Sequence, residues 1–443
     1  VVAAVQTIGQ LDWRGDPARL RAWPDGPRSG DEPHYSIILH SVLYDGDLDL
    51  GDDYASAAEG GYESGRFWKG RRLDPHTLMV DPVTGRHVLW HDVWEFQDRQ
   101  PCDTPGCFPY RMKRPHGFED LGRVVHRPAH PPASALVVAA LLAPFSLEPR
   151  QVDAAGATLL RAGASLTLIA TAATAWMLGA GPGLALLAAA LLGLATPWLA
   201  YTGSLYSEGL SSTVLAFGLL ALVCAVPWLA AVFAVAAFWM KPALVVVGAA
   251  WILERWWAGD RRAAGQITAV MAVGGFALLA FNHFVLGRVW ISGTYAWQPP
   301  DGLRTFFDTM LHERYGALTF VPWLVLAVPG MWRGPAPGAA GSARQIGLPC
   351  ALHWVLLGTY GAMGATCYGP RYWIPFMPFF AVAAALALAG AGRAFRAGFA
   401  VLALAGLLLS VPGALLHKKA WDERPYFGLL RIASDLRARP AAD

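Results

Sequence analysis

The chain changes character near residue 133. Residues 1–132 hold eight of the twelve histidines and a dense mixture of Asp, Glu, Arg and Lys, whereas apolar runs with short polar punctuation follow. Runs of roughly 17–25 apolar residues fit the hydrocarbon core of a bilayer. They are predicted as helical spans at about 157–179, 183–200, 209–226, 227–240, 242–257, 264–286, 317–332, 346–364, 372–390 and 398–416. The apolar stretch from Leu210 to Leu253 is too long for one helix, and Pro227 and Pro242 divide it because proline cannot continue a helix. Ala133 to Phe145 follows Pro131-Pro132 and is too short to span, so it reads as juxtamembrane or re-entrant.

The pattern predicts an all-α polytopic membrane protein. A mixed extracytoplasmic loop region fills 1–132, a juxtamembrane segment 133–156, and a bundle of about ten helices 157–416. An outer loop is expected at 287–316 and an outer tail at 417–443. Composition agrees: 55% of residues are hydrophobic and 15% charged, against about 25% charged in soluble domains. A net charge of +3, with no basic stripe carrying interleaved aromatics, argues against nucleic acid as a partner. The chain opens at Val1 on a short apolar stretch without signal-peptide features, and a transmembrane helix upstream of it is expected.

Basic residues set the expected orientation. Arg255, Arg261 and Arg262, then Arg333 and Arg344, then Arg393 and Arg396 fall in connections on one side, assigned to the cytoplasm. Arg150 and Arg161 run against this scheme. Residues 1–156, Glu208, Lys241, the loop 287–316, the stretch 367–371 and the C-terminal tail are then extracytoplasmic. Cys102 and Cys107 bracket an Asp-Thr-Pro-Gly turn. They read as a disulfide in an oxidising compartment, or else as two thiols.

Five polar strings could carry chemistry at that outer face. Asp31-Glu32, in Gly30-Asp31-Glu32-Pro33-His34-Tyr35, could hold a carboxylate beside an incoming hydroxyl; a solvated loop or a helix cap is the plain alternative. The histidines His126 and His130, with Arg127 in a proline-rich segment, could bind a phosphate or sugar, or form a rigid connector. Tyr206 and Glu208 open an apolar helix, where an acid also suits the helix N-terminus. Lys241-Pro242 separates two apolar runs, and Tyr368-Gly369-Pro370-Arg371 presents an arginine at the head of another. Each cation alone would snorkel to the interface; two on one face suit a phosphate. There is no phosphate-binding glycine loop, zinc-protease motif, serine elbow or nucleotide-binding βαβ unit, which argues against a nucleotide-sugar donor.

The order of these strings resembles the GT-C glycosyltransferases, multi-pass enzymes that use polyprenyl-phosphate sugars, and in particular the bacterial homologues of protein mannosyltransferases and the aminoarabinose transferases. Asp31-Glu32 sits where the family carries its acidic pair. His130-Pro131-Pro132 resembles its juxtamembrane segment, and Tyr206 with Glu208 its acidic position before a helix. Lys241-Pro242 stands where members show a basic residue before proline, although lysine replaces the arginine that would grip phosphate with two parallel hydrogen bonds. The stretch 282–293, Tyr315-Gly316 and Pro322, and finally Tyr368 to Tyr372 with Pro375 and Pro378, resemble later family features.

The resemblance implies inverting transfer of a sugar from a polyprenyl phosphate to an acceptor hydroxyl on a protein, lipid or glycan, at the extracytoplasmic face of the cell membrane. Asp31 would be the catalytic base and Glu32 would orient the acceptor or an ion, a divalent cation being an open cofactor beside them. His34, Tyr35, His126, His130, Tyr206, Glu208, Lys241, Tyr368 and Arg371 would line the substrates. A transporter of polyprenyl-linked glycans is the alternative, against which stand the lack of an internal repeat and the grouping of charges toward one face. A glycan-binding receptor would explain residues 1–132 but not the shared face of Glu208, Lys241 and Arg371.

Overall fold

The computed structural model describes residues 32–51, 53, 77–80, 87–88, 94–96, 110–112, 125–128, 130–287, 303–313, 315–332, 343–359 and 369–415. The expectations for Asp31, Tyr368, the Cys102–Cys107 pair, most of the loop 287–316 and the tail 417–443 fall outside those residues, as do the side chains of Glu32 and His126.

The described chain is predominantly helical. Helix α1 (Glu32–His40) continues into a π turn, Ser41–Asp45, that ends at the left-handed Gly46. Five short strands follow: β1 (Thr77–Val80), β2 (His87–Val88), β3 (Trp94–Phe96), β4 (Tyr110–Met112) and β5 (Val125–Pro128). β1 pairs antiparallel with β2 and with β5, and β3 pairs with β4. The helices α2 (Ala133–Leu142), α3 (Pro149–Met177) and α4 (Pro182–Leu194) come next. Then follow α5 (Ser207–Val223), α6 (Pro227–Met240), α7 (Val245–Trp257) and α8 (Arg261–Leu286). The remainder comprises α9 (Leu303–Leu311), α10 (Ala317–Phe320), α11 (Leu324–Met331), α12 (Arg344–Gly358), α13 (Met377–Leu388) and α14 (Arg393–Leu415).

Proline placement explains the breaks. Pro227 occupies the first turn of α6, where its missing N–H costs nothing, and Pro242 opens a 3-10 turn (Pro242–Leu244) before α7. The long apolar stretch is therefore cut where the sequence indicated. The run after Pro132 forms α2 plus one 3-10 turn, Ala143–Phe145.

Among the described residues, four helical stretches are long and apolar enough to cross a membrane: Gln151–Met177, Arg261–Leu286, Arg371–Leu388 and Arg393–Val411. Of the other predicted spans, those at 183–200, 209–226 and 227–240 are shorter helices, α4, α5 and α6, and that at 317–332 is broken into α10 and α11. Two kinds of environment separate the four. The window in Arg371–Leu388 is 89% buried, whereas those in Arg261–Leu286 and Arg393–Val411 are only 17% and 22% buried. The latter two expose Val273, Phe276 and Phe284, and Val401 and Leu404, respectively. Apolar side chains turned outward along a whole helix are what a lipid environment favours and water does not.

The described residues divide into two compact units, one holding those of 160–274 and 297–443, the other those of 23–159 and 275–296. In the second unit Gly156 of α3 meets Val138 and Leu39, joining α3 to α2 and α1. In the first, α13 is buried along its whole length and carries a run of alanines, Ala381 and Ala383 to Ala385. Gly330 of α11 lies against the Ala383 carbonyl, so closely that a Cβ would collide with backbone. Small residues at such a crossing allow the dispersion contacts that hold helices together when both phases are apolar.

Gly330→Val should therefore lower the apparent melting temperature of the detergent-solubilised chain. The overpacking penalty is roughly 1–3 kcal/mol or more, because backbone must move. Gly265→Ala, on α8 with open space at its Cβ, should leave melting unchanged or raise it slightly. Equal losses for both in thermal scans would contradict the crossing.

Candidate functional site

The first unit gathers three segments around one carboxylate. Glu208 stands in the first turn of α5, fully buried. The adjacent Gly209 lets that turn lie against the Tyr201 carbonyl, where a Cβ would not fit. Lys241 ends α6 in an extended conformation, which the following Pro242 enforces by excluding the helical region for its neighbour. Arg371 opens a 3-10 segment (Arg371–Phe376) after Gly369, whose φ of 66° favours glycine.

Glu208 Oε1 accepts from both cations, from Lys241 Nζ at 2.7 Å and from Arg371 Nε at 2.5 Å. Its other oxygen, Oε2, accepts from Ser207 Oγ at 3.2 Å. Each cation also faces an aromatic ring. Arg371 Cζ lies 4.7 Å from the centroid of Tyr206, and Lys241 Nζ 4.4 Å from that of Tyr372. The quadrupole of such a ring attracts the cation over its face. Tyr201 packs edge-on against Tyr206. His353 of α12 is fully buried, and its Nε2 meets the Tyr372 carbonyl at 2.9 Å, which requires the proton on Nε2. His353 also stacks on Phe376.

Glu208, Lys241 and Arg371 together carry one more positive than negative charge. Such a group attracts anions, and its cations are held in place before any ligand arrives. Tyr206, Glu208, Lys241 and Arg371, predicted from three separate strings, thus meet in one place. His353 was not singled out from the sequence, and Tyr372 only as part of its string. A lone histidine in an apolar helix was the available signal for the first.

In the second unit His34, Tyr35 and His130 are buried together. The His34 and His130 rings lie 5.8 Å apart, centroid to centroid, and Tyr35 is 6.2 Å from His130. On the same helix, α1, Ser36 Oγ donates to Asp153 Oδ1 at 2.7 Å, and His40 Nε2 is 3.3 Å from the same oxygen. The sequence reading missed this group, because Asp153 lies more than a hundred residues from its partners. Tyr44 donates to the Leu147 carbonyl. Burial first, and then the Asp153 and Glu148 carboxylates, push its phenol pKa above the ordinary value. Glu32 begins α1 and His126 lies in β5. Among the described residues no group of three or more His, Cys, Asp or Glu is placed to hold a metal ion.

No protein-family profile matches the chain, and no curated protein matches it.

Removing a shared buried counter-charge strands both partners. Glu208→Gln should destabilise the chain by about 3–5 kcal/mol, while Lys241→Met should cost less because Glu208 keeps Arg371. In the double variant the losses should be less than additive. Thermal scans of the four proteins check this, and simple additivity would mean that the ion pairs do not act as one unit.

Proposed function

We propose that the chain is a membrane glycosyltransferase that moves a sugar from a polyprenyl phosphate to an acceptor hydroxyl, with inversion at the anomeric carbon. The observation that supports this reading is the convergence of Lys241 and Arg371 on Glu208, flanked by Tyr206 and Tyr372. The phosphodiester of a polyprenyl-phosphate sugar carries one negative charge at an apolar boundary, and a second grows on it as the sugar departs. Two preorganised cations suit it, and an arginine adds directional hydrogen bonds.

In the reaction the acceptor hydroxyl gives its proton to Asp31. The oxygen forms a bond to the anomeric carbon as the bond from that carbon to the phosphate oxygen breaks, and polyprenyl phosphate leaves as a dianion. Lys241 and Arg371 stabilise the charge that grows on the phosphate, and Glu208 fixes where they stand. Glu32 orients the acceptor, and His34, Tyr35, His126, His130 and Tyr368 are assigned to substrate contacts on the family resemblance. The reaction takes place at the extracytoplasmic face of the cell membrane.

The test mixes the reconstituted protein with radiolabelled polyprenyl-phosphate sugars and a membrane extract as acceptor. Label should pass from lipid to a new product. Asp31→Ala should lower turnover by about 10²–10⁴-fold, the usual contribution of a general base. Arg371→Ala should raise the KM for donor more than that for acceptor. Label that stays on the lipid but crosses the bilayer of proteoliposomes would identify a transporter instead.

A further inference from the structure

Helix α9 has an apolar stripe with no partner among the described residues. Leu303, Phe307 and Leu311 recur every four residues, on one side of the helix, and are 75%, 58% and 58% exposed. The opposite side is packed. Phe306 meets Gly358 and lies edge-on to Trp354 of α12, while Thr305 and Thr309 are buried.

Two indoles fasten the helix: Trp354 Nε1 donates to the Phe306 carbonyl and Trp373 Nε1 to the Thr309 carbonyl, each at 3.2 Å. The outward stripe is thus a fixed feature of the unit. It adjoins further exposed apolar surface on α12, at Trp354 and Val355. Arg304, 77% exposed in its side chain, pairs loosely with Asp308 one turn along. A cation beside an apolar stripe suits the boundary between acyl chains and phosphate headgroups.

We infer that α9 lies in the plane of the membrane interface, its Leu303, Phe307 and Leu311 inserted among phospholipid acyl chains. At nine residues it is about 14 Å long, under half the thickness of the hydrocarbon core, so it cannot cross. A lengthwise stripe is buried only when the axis runs along the interface. The chain elsewhere presents lipid-type outer faces, on α8 and α14, and α9 adds another of the same character. Trp373, two residues after Arg371, carries the consequence to the candidate site. It fastens the Arg371 segment to a helix held at the level of the headgroups.

The inference needs a bilayer but not glycosyl transfer. Benzoylphenylalanine, which on irradiation bonds to nearby C–H groups, is placed singly at Leu303, Phe307, Leu311, Arg304 and Val401, the last exposed on α14. Each variant is reconstituted in phosphatidylethanolamine and phosphatidylglycerol vesicles with tritiated acyl chains. Probes at 303, 307 and 311 should give lipid adducts at the yield of Val401→benzoylphenylalanine, and the probe at 304 a small fraction of it. All are surface positions, so no core packing is disturbed. Adducts at 401 but none on the α9 stripe would overturn the inference, as would crosslinks from the stripe to a second copy of the chain. Loss of adducts at 401 as well would overturn the bilayer placement on which it rests.

Discussion

The first unit depends on the electrostatics of one buried carboxylate. An ionised Glu208 without partners would cost several kcal/mol in so dry a place. The fold meets that demand with Lys241 and Arg371, which are 33 and 163 residues away in the chain. Three helix ends must then come together within hydrogen-bond reach. The same contacts that relieve the desolvation of Glu208 also fix the positions of the two cations, so stability and preorganisation have one source.

The surrounding residues restrict this group further. Gly209 allows the close approach of α5 to Tyr201, Pro242 keeps Lys241 extended, and Gly369 turns the chain so that Arg371 points inward. Tyr206 and Tyr372 cover the cations with ring faces, and His353 holds the Tyr372 carbonyl. Through Trp373 the arginine segment is also tied to α9. A cluster so constrained loses little freedom when an anion binds, which is how preorganised sites favour a charged ligand.

Much of this was legible residue by residue. Prolines at 227 and 242 divided the long apolar stretch where the helices do break. Tyr206, Glu208, Lys241 and Arg371 stood out because ionisable side chains are rare beside apolar helices. His34, Tyr35 and His130 came from two strings, and they meet. The length of several helices was not legible. Hydropathy marks where apolar residues run, but not where a turn closes early, so α6 and α7 are shorter than membrane-crossing helices usually are. Asp153 escaped notice for another reason. Nothing beside it in the chain marks it out, and only its partners Ser36 and His40, more than a hundred residues away, distinguish it.

The sequence by itself determined the helical, lipid-suited character of residues beyond 133, the positions of the breaks, and which polar residues were costly enough to need a reason. Those are local properties, set by hydropathy, proline geometry and the expense of burying charge. Only the tertiary structure decided that Glu208 is shared by two cations, that His353 supports Tyr372, and that α9 turns an apolar stripe outward. Pairing across 33 to 163 residues depends on how helices pack, and packing depends on shape at every crossing, such as the bare face of Gly330 against Ala383. Hydropathy records which residues seek burial, but not which partner each one finds.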